Sequence, residues 1–231
     1  MQKKLKTAIL ALASLAVAPL AQAQDWSGFY GGVSIGSDQG DVDWVDNNGG
    51  WFSFAPGTTH SASASGMGGG MQVGYNWQFG NGVLAGVEMG ITSLGNSSVV
   101  TSPLFPASDV WHTEVTNLGT ATARVGFARG KWLPYVEGGL AIGDVAMTNR
   151  DSGFCAPPCV FRSRESQTGY VLGIGADYMA GENVSFGLNY RFADLGSSTR
   201  TGNTTGVGTP ENYTVDATAS VVSLRINFLL D

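Results

Sequence analysis

Charge and thiols are scarce in this chain of 231 residues. Only 13% of its residues are charged, about half the share usual in globular domains. Lysine and arginine total 12 against 18 acidic residues, and three of those bases, Lys3, Lys4 and Lys6, fall in the first six positions. No basic run or patch follows, which excludes a nucleic-acid partner. Past residue 23 no apolar run approaches 18 residues, so the sequence offers no membrane-spanning helix. There are only two histidines, His60 and His112, and two cysteines, Cys155 and Cys159. Two cysteines without a nearby histidine do not make a zinc site. No metal, cofactor or catalytic residue is expected.

What is present begins with a leader. After the three lysines comes an apolar stretch from Ala8 to Leu20, then Ala21-Gln22-Ala23 as a small-x-small cleavage site. Residues 1–23 therefore read as a secretory signal peptide, with Gln24 starting the mature chain. The rival reading, an anchoring helix, needs about 20 apolar residues, and this core is shorter. In an exported protein, Cys155 and Cys159 are expected to form a disulfide across Ala156-Pro157-Pro158.

The rest of the chain alternates. From Met67 to Phe79 every second residue is apolar or glycine: Met67, Gly69, Met71, Val73, Tyr75, Trp77 and Phe79. Side chains on a strand point to opposite faces in turn, so one face of this segment is greasy and the other small or amide-bearing. Eight such segments are expected, at about residues 28–37, 67–79, 83–92, 116–128, 132–145, 168–179, 183–194 and 217–230. Short turns near residues 81, 130 and 181 alternate with long polar stretches at 38–65, 94–115, 147–166 and 195–216. Low charge, no spanning helix and this short–long rhythm predict an all-β fold: an eight-stranded antiparallel up-and-down transmembrane β-barrel over residues 24–231, with four long external loops. Ten residues rise about 33 Å, which at a tilt near 40° covers the apolar band of about 25 Å. Aromatic girdles are expected from Trp26, Trp77, Phe79, Trp132 and Tyr178 at one edge and from Tyr170 and Phe192 at the other.

The inward faces carry Glu88, Arg124, Glu137, Asp177, Arg191 and Arg225, three acids and three bases. An eight-strand barrel is just wide enough for side chains to fill. An unpaired charge inside would cost several kcal/mol, so the balance predicts an ion-paired, packed lumen, completed by Gln72, Asn76, Asn189 and Asn227. A selective polar pore is the functional alternative.

Other motifs carry less. Gly66–Gly70 resembles a phosphate-binding glycine loop, but a strand follows where a helix is needed. His60 and His112 fall in the long polar stretches and read as surface loop residues. A lipid-modifying hydrolase needs histidine, serine and an acid clustered on the barrel, and a soluble barrel of lipocalin type would turn its charged face outward.

Several segments are similar to a known family: Trp26-Ser27-Gly28-Phe29-Tyr30-Gly31-Gly32, Arg124-Val125-Gly126-Phe127-Ala128, Tyr135-Val136-Glu137-Gly138-Gly139-Leu140-Ala141, Gly173-Ile174-Gly175-Ala176-Asp177-Tyr178, and Leu188 through Gly196. In order and spacing they resemble the small outer-membrane β-barrels of Gram-negative bacteria, the porin-like surface antigens related to the OmpA-type barrel. The resemblance spans nearly the whole mature chain. It implies a non-enzymatic structural protein and surface antigen of the cell outer membrane. The implied partners are the outer-membrane lipids and the barrel-insertion machinery, with the ligand of the external loops left unnamed. Small-solute porin, adhesin and haem-binding protein are the family's other roles. Two departures stand out: Asn189 where relatives often have a carboxylate, and Leu229-Leu230-Asp231 after Phe228 where relatives tend to end on an aromatic.

Overall fold

A computed structural model describes residues 24–49, 55–102, 105–153, 155 and 157–230. The expected leader, residues 1–23, lies outside the described residues. Nine antiparallel strands follow in chain order: β1 (Gly28–Asp46), β2 (Thr58–Gln78), β3 (Val83–Ser93), β4 (Ser97–Thr101), β5 (Asp109–Phe127), β6 (Trp132–Asp151), β7 (Cys159–Met179), β8 (Val184–Asn203) and β9 (Pro210–Leu230). They run β3-β2-β1-β9-β8-β7-β6-β5, and a β3–β5 ladder from Val83/Phe127 to Ser93/Asn117 closes the ring at eight. β4 continues the line of β3 after a break at residues 94–96 and pairs with β5 alone.

Seven of the eight ring strands are six to nine residues longer than the sequence predicts, and β3 is one longer. The stretches expected as long loops are mostly extended hairpin: β1 reaches Asp46, β6 reaches Asp151 and β8 reaches Asn203. Their inward positions explain this. Val42, Trp44, Trp111, Val115, Phe161, Tyr213 and Val215 alternate with mostly polar outward residues and are all buried. Serine- and threonine-rich outward positions hide this period from a composition-based reading. His60 and His112 accordingly lie on β2 and β5, not in loops.

The two halves of the barrel differ. Near the termini every neighbouring pair of strands is laddered. Beyond Tyr170/Asp194 the β7–β8 ladder stops, and beyond Gly69/Ser93 the β2–β3 ladder stops. Past those points the wall becomes two facing sheets, β2-β1-β9-β8 and β4-β5-β6-β7. Rings from opposite sheets meet between them: Trp44 against Trp111 with centroids 5.6 Å apart, and Phe161 against Tyr213 at 5.2 Å.

The outer surface of the laddered half is an apolar belt. Val33, Ile35, Met71, Val73, Met89, Leu140, Leu172, Leu188, Leu224 and Phe228 are exposed on it. Hydrocarbon cannot satisfy a free N–H or C=O, so a spanning sheet must be fully paired. Water can satisfy them above the belt, and there the ladders open. At the edge near the termini Trp77, Phe79 and Trp132 are exposed, and Trp132 packs on Tyr178 with centroids 4.9 Å apart. Trp26 departs from the girdle expected of it. It is 1% exposed and joins Leu84, Leu133, Tyr135 and Met179 in an apolar plug at the floor of the lumen. The chain turns inward before β1, so Trp26 caps the interior.

Candidate functional site

The interior is stacked in layers. Above the floor plug lies a belt of charge, held by six consecutive strands of the ring. Inward positions of β3, β5, β6, β7, β8 and β9 supply Glu88, Arg124, Glu137, Asp177, Arg191 and Arg225 respectively. All but Arg191 are at most 5% exposed.

Glu88 is the hub. Its carboxylate accepts hydrogen bonds from Arg225 and Arg191, and Tyr30 donates to it at 2.6 Å. The Arg124 guanidinium stands 3.7 Å from Glu88 and 3.6 Å from Asp177. It also donates to Asn76 Oδ1 at 2.8 and 3.0 Å and lies over the Tyr30 and Tyr135 rings, 4.5 and 5.1 Å from their centroids. Arg191 Nε donates to Glu137 at 2.7 Å, and Arg225 donates to the Tyr135 hydroxyl at 3.1 Å. Asn189 donates to Glu137 at 3.0 Å and to the Tyr135 hydroxyl at 3.2 Å. Gln72 donates to Asn227 at 2.8 Å. The six ions are legible in the sequence, but the parts played by Tyr30, whose hydroxyl donates to Glu88 and whose ring lies under Arg124, and by Tyr135, whose hydroxyl accepts from Arg225, are not. Their inward register was the available signal.

Above the ions a second apolar layer fills the space between the facing sheets, from Leu118 and Leu195 up to Trp44 and Trp111. The His60 ring packs against Trp111 with centroids 4.0 Å apart at a tilt of 58°, and burial holds its pKa below the ordinary histidine value. At the far rim Asp109 and Asp151 are direct cross-strand neighbours. Burial, with the Asp151 carboxyl beside it, raises the Asp109 pKa against an opposing hydrogen bond from Ser108. A disulfide joins Cys155 to Cys159 beside this rim, Cα atoms 5.5 Å apart.

The structure also brings together one pair that sequence spacing kept apart. Ser97 Oγ lies 2.6 Å from His112 Nε2 on the outer surface of β4 and β5. Nucleophilic chemistry further requires an acid orienting the histidine and donors for the oxyanion. Among the described residues no carboxylate pairs with His112.

The chain matches the model of the outer membrane protein beta-barrel domain over residues 7–228. It is 37% identical over 138 residues to a 31 kDa outer-membrane immunogenic protein of Brucella melitensis, covering 58% of this chain and 56% of that protein. It is 29% identical over 182 residues to a 22 kDa outer membrane protein of Rhizobium leguminosarum, covering 78% of this chain and 69% of that one. The chain thus spans little more than half the length of its Brucella relative. Among solved structures the barrel is similar to OprG of Pseudomonas aeruginosa, with a TM-score of 0.52 at 16% identity over 88% of this chain and 97% of that one. At that identity the likeness shows the fold alone.

Proposed function

From the premise that this chain belongs to the outer-membrane β-barrel protein family, we propose that it is a non-enzymatic, closed barrel that supports the envelope and presents its extramembrane half as a surface antigen. Its seat in the outer membrane follows from the family and from the lipid-facing belt. The ring having eight strands, the start of β1 at Gly28 and the end of β9 at Leu230 lie on one side. In this reading that side is the periplasm, and the two-sheet half stands outside.

The observation that carries the closed barrel is the continuity of packed layers along the axis: floor plug, ion belt, apolar layer and rim. A solute would have to separate Glu88 from three arginines and then cross the Trp44–Trp111 layer. Such buried ions are costly to unpair. Purified protein in planar bilayers is expected to show no ohmic conductance above the lipid background. A steady open state would support the small-solute porin instead. Insertion by the general barrel-assembly machinery belongs to the same proposal. Phe228 and Leu230, both exposed on the belt, are the apolar residues at the C-terminal strand end available to be read.

Weighing against an enzymatic role, the Ser97–His112 pair has no orienting acid among the described residues. Ser97→Ala is expected to leave any background ester hydrolysis by the purified protein unchanged.

A further inference from the structure

The two extramembrane sheets carry different charges on their outer faces. On β2-β1-β9-β8 the outward positions above the belt hold Asp41, Asp43 and Asp216 and no base. On β4-β5-β6-β7 they hold Arg150, Arg162 and Arg164, with Glu114 and Asp144 nearer the belt. All the arginines exposed in the extramembrane half therefore sit on β6 and β7. They form one patch: Ala146 is the cross-strand partner of Arg164, Thr148 of Arg162 and Val160 of Arg150. Asp144, whose carboxylate accepts from Ser166 and Asn117 at 2.6 and 3.4 Å, also attracts Arg164 and partly offsets the lower end of the patch. Arg164 is held in place by a 2.9 Å hydrogen bond from its Nη2 to Thr116 Oγ1. None of the three arginines is in an ion pair with a described residue.

The patch stands directly above a lipid-facing concavity. Outward glycine and alanine at Gly119 and Ala121 make a trough between a Met71–Met89–Ile91 wall and a Leu140–Ile142 wall. Ile142 marks the top of the belt on β6. At about 2.5 Å of height per residue for a tilted strand, the rows of Arg164, Arg162 and Arg150 lie about 10, 15 and 20 Å above it.

We propose that this face binds a phosphorylated glycolipid of the surrounding outer leaflet, its acyl chains in the trough and its sugar phosphates on Arg164, Arg162 and Arg150. Two features select this occupant. The patch is continuous with the lipid-facing belt, which favours an anchored ligand over a soluble polyanion. The ladder of arginines also extends beyond the interfacial layer of an ordinary phospholipid, which is only about 5–8 Å deep. A phosphorylated oligosaccharide headgroup reaches that height. Arginine suits the role because its planar fork binds phosphate oxygens in pairs, and its apolar stem can lie along the sheet. The proposal rests on the reading that the two-sheet half faces outside.

The test uses full-length mature protein in detergent micelles, titrated with rough lipopolysaccharide and followed by native mass spectrometry. The triple variant Arg150→Gln/Arg162→Gln/Arg164→Gln is expected to lose affinity by about tenfold or more, as three charge-assisted contacts are removed. Asp41→Asn/Asp43→Asn/Asp216→Asn is the control from the opposite face and should bind at least as well as wild type. Enzymatically dephosphorylated lipopolysaccharide should bind wild type as weakly as intact lipopolysaccharide binds the triple variant. Undiminished binding by the triple variant, or equal binding of the dephosphorylated form, overturns the proposal. So does a soluble sulfated polysaccharide that binds as tightly as lipopolysaccharide, since the site would then not be lipid-directed. Heat-modifiable gel mobility of the triple variant, expected to match wild type, separates loss of this site from loss of the barrel.

Discussion

Glu88 faces three arginines and a tyrosine hydroxyl within one cross-section of the lumen. Replacing it with glutamine leaves three guanidinium groups with two carboxylates between them. Removing one member of a buried ion network typically costs about 3–5 kcal/mol, and Glu88→Gln is expected at the upper end because it is shared. Arg124→Met removes only one guanidinium and keeps its apolar contact with Tyr30 and Tyr135. It should lower the urea midpoint of unfolding from micelles by less than Glu88→Gln does. Equal midpoints for wild type and both variants would show that the belt contributes nothing to stability.

His60 supplies a titration at the same scale. Burial against Trp44 and Trp111 lowers its pKa in the folded protein, so the folded state binds a proton more weakly than the unfolded chain does. Its contribution is complete above the ordinary histidine pKa of about 6.5 and is lost as the pH falls through the lower folded value. Thermal stability of the wild type should therefore decline on acidification in a way that His60→Gln does not. An NMR-titrated pKa at or above the ordinary value would contradict this.

Among elements, the corner between β3 and β4 decides how one seam is sealed. Asp38, on β1, accepts from Asn96 Nδ2 at 2.8 Å and from the Gly95 amide at 3.2 Å, and Asn96 Oδ1 in turn accepts from the Val115 amide at 3.1 Å. The approach is close enough that a side chain on Gly66 would strike the Gly95 backbone. Asp38→Ala leaves buried donors unsatisfied, at a cost of about 1–3 kcal/mol. It should speed amide hydrogen exchange at Gly95 and Val115 while leaving exchange at Val87 and Met89, inside the complete ladder, unchanged. The other seam begins at a bulge between Asp194 and Ser197, where Gly196 takes a φ of +68°. Ser198 bridges to Glu165 at 2.8 Å across it. These elements also mark what the sequence made legible. Belt strands were readable because lipid demands strict apolar alternation over ten residues. Their extensions were not, since one face meets water and the other a narrow core of well-spaced large residues such as Trp44, Trp111 and Tyr213. The ions were readable from inward register, whereas Trp26 was misplaced because it precedes the first strand and follows no alternation.

For the whole molecule, the organising feature is a change of solvent partway up one continuous set of strands. Where hydrocarbon surrounds the wall, the ring is closed and its charges turn to the axis. Where water surrounds it, the ring parts into two sheets with polar exteriors and a dry centre. Position along β6 follows this boundary, from Val136 and Leu140 through Ile142 to Thr148. The most direct measurement places nitroxides singly at Val136, Leu140 and Thr148, in protein carrying Cys155→Ser and Cys159→Ser and reconstituted in lipid vesicles. Accessibility to oxygen and to a water-soluble nickel complex is then read by electron paramagnetic resonance. The spin labels at Val136 and Leu140 should favour oxygen and the label at Thr148 should favour nickel. Equal nickel access at all three would mean that water, not lipid, covers the belt, and the transmembrane barrel would be contradicted.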